Sequence, residues 1–561
     1  MDQRKKSLIT VICISVLIIL GIVNISFINY RERGNYPWLK MIIIGTSAGP
    51  HTLDPMNSSD HASNDVLDQI FEGLFTYNLS DHNLPRINLL AESYHWVNTT
   101  TFQIKLRKGI FFHDGYPLNS TAAKWSFDRL NYMCNASNEA NRMIPFNIPN
   151  TGSIGAPASM YFLPNGDPII DEVDAVGEYN ITFHLNSPFA PFLDLLCYEA
   201  SKLVSPVSTP ATRFIQLHEV PMGTGPFKYV SRTPDIEVRF ERNDNYWRPL
   251  ARLQEVIYVI IPGTTTRSNT MLSRQIDYVI GYSPSLLGAF RSDPNIHVED
   301  FTDNTGNPGV SYYYLGMNNN KINVTWRKAI SYAINYSYFV KNMGNNLVIR
   351  AAGPISPSYG AAYNVSAKAA VENVTYARQV LVDAGITSLS LDDDVGWAAA
   401  NLFTINYSSY TDNGIRIDIG VALSQWLDRI GITVLEPIIW DEYQPDFYEN
   451  NNNLGIFWNG RGPEYFDPFN MLDQLFNPNS SSNYCHVNDT WLNTKMGEVL
   501  ATTDDTARNN IYKNIQWYLA EELYPHAFGY HPKIIIVHGS NLHNVPYNAI
   551  SKLELYPIYK A

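Results

Sequence analysis

Residues 102–115 read FQIKLRKGIFFHDG. Phe102, Ile104 and Leu106 alternate with polar Gln103 and Lys105, the period of a strand with one buried face. Gly109 and Gly115 then permit the turns that follow it. Working outward, the alternation returns at Ile181, Phe183 and Leu185. A continuous apolar run of strand length lies at 256–261, 310–315 is another candidate strand, and shorter strand-like stretches lie at 41–44, 432–435 and 534–537. Helical spacing interleaves with them. Val66, Ile70, Phe71 and Leu74 share one face of a helix predicted over 66–75, and Trp326, Ala329, Ile330, Ala333 and Ile334 one over 326–340. Helices over 374–384 and 415–430 stop at Gly385 and Gly431, which suit left-handed C-terminal caps. Thr506 can cap a helix carrying Ile511, Ile515, Leu519 and Leu523, stopped by Pro525. Strands and helices mix along the whole chain, so the class is α/β.

A chain of 561 residues exceeds one core, since single cores stop growing at roughly 250–300 residues. With 45% hydrophobic and 17% charged residues the composition is globular. The formal net charge of −13 repels a phosphate backbone, which argues against nucleic acid as a partner. Arg4, Lys5 and Lys6 precede a run from 8 to 28 with no charged residue. About 20 apolar residues span a bilayer as a helix, and the basic flank keeps the N-terminus inside. No small-residue cleavage site follows the run, so an uncleaved anchor with the remainder exported is expected. Sequons of the form N-x-S/T recur from Asn57 through Asn98, Asn180 and Asn373 to Asn488, in keeping with a glycosylated outer surface.

Catalytic and metal-binding patterns are weak. Gly45-Thr46-Ser47-Ala48-Gly49 matches a nucleophile elbow, but Pro50 and Pro55 follow where the elbow needs a helix. His526 and His531 lie five apart beside Pro525 and Pro532, which breaks helical pairing. Asp392-Asp393-Asp394 lacks the spaced oxygens of a calcium loop. Gly223-Thr224-Gly225-Pro226 lacks the amides and lysine of a phosphate cradle. The expectation is no catalytic residue, no metal site and no cofactor.

Several segments, taken in order, resemble the family 5 solute-binding proteins of peptide- and nickel-type ABC importers. They begin at Leu53-Asp54-Pro55 and Ile70-Phe71-Glu72-Gly73-Leu74 and include Leu90-Ala91-Glu92-Ser93. They continue through FQIKLRKGIFFHDG, GTGPFKYV at 223–230, ERNDNYW at 241–247, WRKAISYAIN at 326–335 and ARQVLVDAG at 377–385, and end in GPEYFDPFNML at 462–472. The resemblance implies a two-lobed fold of the periplasmic-binding type II kind that closes on its ligand by a hinge. An anchor and stalk would take 1–40, and the first lobe 41–302 with an extra subdomain at about 80–205. The second lobe would take 303–527, and 528–561 would return to the first. Three cysteines outside the apolar run permit at most one internal disulfide; Cys134 with Cys197 is the expected pair, both falling in the first lobe.

The resemblance also implies a ligand set. Glu464 stands where peptide-binding relatives place an aspartate that pairs with the ligand's amine. Arg461 departs from the family pattern; it either meets an anionic group or pairs with Glu464, and in the second case the amine-anchor role of Glu464 fails. Trp458 and Tyr465 flank them, and Ser58 and Ser59 contribute from the first lobe. Asp467-Pro468 reads as a structural turn. The leading expectation is a receptor that delivers oligopeptides to an ABC permease while held to the membrane by its N-terminal helix. An oligosaccharide receptor is the alternative within the fold, with Trp397, Tyr407, Trp440 and Trp458 as stacking candidates. A nickel binder lacks a histidine cluster. An anchored serine hydrolase using Ser47, or a structural surface glycoprotein, represents other classes.

Overall fold

The computed structural model describes residues 40–134, 160–343, 345–410, 414–440 and 454–561. Two sheets organise the chain. In the seven-stranded sheet the order is Ile296–Asp300, Ile535–Gly539, Tyr278–Val279, Met41–Thr46, Glu255–Ile260, Glu237–Arg242 and Phe227–Thr233. Met41–Thr46 is central and runs parallel to both neighbours, with Ile44 opposite Tyr258 on one side and Tyr278 on the other. A strand covered on both faces must be apolar throughout, which is why this segment reads MIIIGT.

The six-stranded sheet has the order Val348–Arg350, His526–Pro532, Tyr312–Met317, Ile456–Arg461, Phe403–Tyr410 and Ile432–Trp440. The chain therefore passes between the sheets twice, between Asp300 and Tyr312 and again between Pro532 and Ile535. The second passage falls later than residue 527, because His526–Pro532 pairs antiparallel with Tyr312–Met317 and stays with the second lobe. A four-stranded antiparallel sheet, Ala91–Asn98, Thr101–Leu106, Asn180–Leu185 and Ile170–Val176, forms a separate layer of the first lobe. Here Phe102, Ile104 and Leu106 are buried as their alternation requires, and Phe102 opposes Phe183.

Several element ends differ from the sequence reading for local reasons. The helix predicted over 66–75 is His61–Ile70, because the Asp60 side chain caps it by accepting from the Ser63 amide. The helix predicted over 326–340 breaks at Ile334, which is extended; Asn335 then caps a new turn through the Tyr338 amide. Asp504, rather than Thr506, caps the helix Asp505–Tyr518. Gly385 and Gly431 do adopt the left-handed conformation their positions demand, with φ of 70° and 73°. Gly223 is a scaffold position: a Cβ there would lie 2.1 Å from the Ile70 carbonyl oxygen.

The expected disulfide is absent. Cys134, Cys197 and Cys485 are buried free thiols, and the Cys197 thiol donates to the Leu193 carbonyl at 3.4 Å. The apolar run at 8–28 lies outside the described residues, and no described helix is long and apolar enough to cross a membrane.

Candidate functional site

Helix His61–Ile70 buries Val66, Leu67 and Ile70 in the core. That orientation turns Asp65 and Asp68, three residues apart, towards a cavity between the lobes. Asp60 at the helix start also lines it, its two oxygens accepting from the Ser63 amide at 2.9 Å and the Ser63 hydroxyl at 2.6 Å. Glu199 comes from a short 3-10 turn, and Lys552 from the chain that has returned to the first lobe. The opposite wall is the end of strand Ile456–Arg461 and the loop 462–466, held in place by helix Pro468–Phe476. The cavity measures about 240 Å³.

The second-lobe wall is fixed by local hydrogen bonds. Asp467 caps its helix through the Phe469 amide at 2.8 Å and accepts from the Tyr512 hydroxyl at 2.5 Å, the structural turn expected of Asp467-Pro468. The Glu464 amide donates to Asn470 at 2.8 Å. The Phe466 amide donates to the Tyr77 hydroxyl at 2.9 Å, a bond that joins the two lobes at the cavity rim. Farther out, Phe189 packs edge-on against Phe469, and the Ala190 amide donates to the Leu500 carbonyl at 2.9 Å. The lobes are thus in contact around the cavity, as a closed receptor requires.

Charge is unevenly compensated inside. Lys552 bridges Asp68 at 2.8 Å and Glu199 at 2.7 Å, and Lys202 supports the same two carboxylates from beneath. Burial pushes the Asp68 carboxyl up, but Lys202 and Lys552 outweigh it and hold the group at about 2. Glu199 is raised, by burial first and then by Asp68. Burial, reinforced by Asp68, lifts Asp65 to about 8 against the pull of Lys552. Across the cavity, burial lifts Glu464 to about 7, with Arg461 pulling the other way.

Of the residues expected to bind ligand, Ser59, Arg461, Glu464 and Tyr465 line the cavity. Trp458 does not. It is 4% exposed, stacks on Phe339 at 4.6 Å and belongs to the second-lobe core, because its strand is interior to the six-stranded sheet. Ser58 is also fully buried, with its hydroxyl bonded to Asn64 and its carbonyl accepting from Tyr198. Arg461 pairs with Glu464 at 3.3 Å and also donates to Gln474 at 3.0 Å and Ser482 at 3.3 Å. Of the two arrangements expected of Arg461, the structure has the pairing with Glu464.

The sequence reading missed Asp60, Asp65, Asp68, Glu199 and Lys552. The three-residue spacing of Asp65 and Asp68 within a predicted helix was the available signal; nothing local marks Lys552. Trp397 and Tyr407 are fully buried in the core, which removes them as sugar-stacking surfaces, and the side chain of Trp440 lies outside the described set. His526 and His531 are buried and kept neutral by desolvation, at about 3 and about 4. Ser47 sits on an exposed bend after Met41–Thr46, with no helix behind it. Among the described residues, no group of three or more His, Cys, Asp or Glu is placed to hold a metal ion.

Two lobes in contact around a charged cavity are the arrangement of the two-lobed periplasmic binding fold. Solved structures share that fold. The periplasmic binding protein DppA from Helicobacter pylori, in complex with the peptide STSA, aligns with a TM-score of 0.73 at 20% identity, covering 93% of this chain and 98% of that one. NikA from Staphylococcus aureus, in complex with Ni(L-His)2, aligns with a TM-score of 0.70 at 16% identity, covering 93% and 100%. By sequence, the glutathione-binding protein GsiB of Pectobacterium atrosepticum is 23% identical over 491 residues, which is 85% of this chain and 86% of the relative. The description "Bacterial extracellular solute-binding proteins, family 5 Middle" matches residues 87–483, and the chain belongs to that family. It is a solute-binding protein of ABC importers, not an enzyme.

Proposed function

We propose that this chain captures short peptides in the cavity between its lobes and delivers them to an ABC permease, held to the membrane by its apolar run at 8–28. The observation that carries the reading is the cavity itself: about 240 Å³, with carboxylates and cations on walls contributed by both lobes. Drug-sized ligand pockets run from roughly 300 to 1,000 Å³, so this one suits a ligand of dipeptide or tripeptide size. Charged walls of both signs suit a zwitterion better than a neutral sugar, and Trp397, Tyr407 and Trp458, three of the residues expected to stack on one, are buried in the core. In this reading the first lobe is 41–302 with the chain after 533, about 80–205 is its extra subdomain, and the second lobe is the chain between. Ligand that touches both walls favours the closed state, because only differential affinity shifts a hinge equilibrium.

Thermal unfolding of the full-length chain tests the ligand class against dipeptides, tripeptides, glutathione, oligosaccharides and nickel–histidine. A true ligand at 100 times its Kd contributes about 2.7 kcal/mol, a clear rise in Tm. Stabilisation by sugars alone, with no response to any peptide, sinks the reading. Membrane attachment has its own check. Alkaline extraction should leave the intact chain in the membrane pellet, and its appearance in the supernatant would remove the anchor.

A further inference from the structure

The geometry points to Asp65, on the first-lobe helix, as the carboxylate that takes the ligand's free ammonium group, in place of Glu464 across the cavity. The inference rests on the peptide reading above and names the group that would recognise the amine.

The carboxylates around the cavity differ in what already occupies them. Glu464 is engaged by Arg461 at 3.3 Å. Asp68 and Glu199 share the two lysines beneath them. Asp60 spends both oxygens on Ser63. Asp65 alone in this set has a carboxyl with no hydrogen bond or ion pair to any described residue. Only its backbone carbonyl is used, accepting from Gln69 and from the Tyr258 hydroxyl.

A half-buried carboxyl with no partner at a cavity wall has acceptor capacity that a cation entering the cavity can use. No described group of side chains is arranged to hold a metal there. A primary ammonium supplies one positive charge and three donors, which matches a carboxyl with all its acceptor sites open. The carboxyls that line the cavity also outnumber the nearby lysines and arginine, so the free site has negative charge to spare.

The same geometry sets a proton linkage. Asp65 is faced by Asp60 and Asp68 on its own helix, by Glu199 and Lys552 from the adjoining segments, and by Tyr258 and Tyr278 from the sheet beneath. Burial and these carboxylates hold it largely protonated at pH 7, at about 8. An ammonium beside it favours the ionised form, so binding drives that proton into the buffer. Affinity should then tighten as pH rises from 6 to 7.5, approaching about tenfold per unit.

The test uses calorimetry on the full-length chain with Ala-Leu, Ala-Ala-Leu and their N-acetyl forms, in two buffers of different ionisation enthalpy. Wild type should prefer the free amine by about 100-fold and release a proton on binding at pH 7. Asp65→Asn should reduce the preference to within about threefold and abolish the proton release. Asp65→Glu, which keeps the charge, should restore most of the preference. Glu464→Gln should change both forms alike and keep their ratio. Asp65→Asn should also fold about as well as wild type at pH 8, since the half-buried Asp65 carboxyl holds no hydrogen bond or ion pair to a described residue. A preference that survives Asp65→Asn, or that Glu464→Gln erases, overturns the inference while leaving the peptide reading intact. Failure of every peptide to bind wild type overturns both.

Discussion

Asp54→Ala is expected to destabilise the chain by about 3–5 kcal/mol, the range for breaking a buried ion pair from one side. Asp54 is fully buried, and its carboxylate receives both ends of the Arg129 guanidinium, at 3.2 and 2.5 Å. It also accepts from the Met56 amide at 3.0 Å and the Ile215 amide at 2.8 Å. Arg129 lies on helix Ser120–Cys134, which packs on the four-stranded sheet. One carboxylate therefore joins three segments, and the segment it caps leads straight into Ser59 and Asp60 at the cavity edge. Alanine leaves the guanidinium buried with only the Pro210 and Arg213 carbonyls and the Met56 sulfur. Urea unfolding measures the loss. The double replacement Asp54→Leu with Arg129→Met should recover part of it, because no unpaired charge remains. A loss below about 1 kcal/mol for Asp54→Ala, the level of an exposed pair, would show that the pair is not desolvated.

Lys552→Met is the second large effect, and its size depends on pH. Without Lys552, Asp68 and Glu199 share Lys202 alone, so two close carboxylates meet one cation. A loss of about 3 kcal/mol is expected at pH 7. Asp68 is held in the folded chain at about 2, below its ordinary value, so its contribution to stability is full above about pH 4 and fades as pH falls through about 2. In the variant Asp68 loses that depression and takes up a proton more readily. Acid then relieves the repulsion, and the difference from wild type should shrink between pH 7 and pH 4. Equal losses at both values would mean that Lys552 matters through packing of its stem and not through charge.

These sites show where sequence reasoning stops. The strands around Phe102 and Ile181 were legible because period-two burial is written in neighbouring residues. The stops at Gly385 and Gly431 were legible for the same reason, since a left-handed cap is a demand on one residue. Helix His61–Ile70 was seen but misplaced, because the apolar pattern starts at Val66 whereas the cap that begins the helix is Asp60. The choice between an Arg461–Glu464 pair and a Glu464 amine anchor could be posed from a three-residue spacing. It could not be answered there, as the answer depends on how strand Ile456–Arg461 turns into the loop that follows.

The aromatic Trp458 looked like a ligand contact and is core, because an interior strand has a sheet neighbour on each side and helices over its face. Cys134 and Cys197 fall in one lobe, yet sharing a lobe does not bring two thiols to bonding distance. The sequence by itself determined the α/β class, the ordered segments that mark the family, and the part of the chain carrying Arg461 and Glu464. Only the tertiary structure decided which carboxylates are compensated. Lys552 reaches Asp68 across almost the whole length of the chain, and Asp65 is left without a cation by the same arrangement. Periodicity and caps are local, whereas burial and charge balance belong to contacts that exist only once the chain has crossed between its lobes and returned.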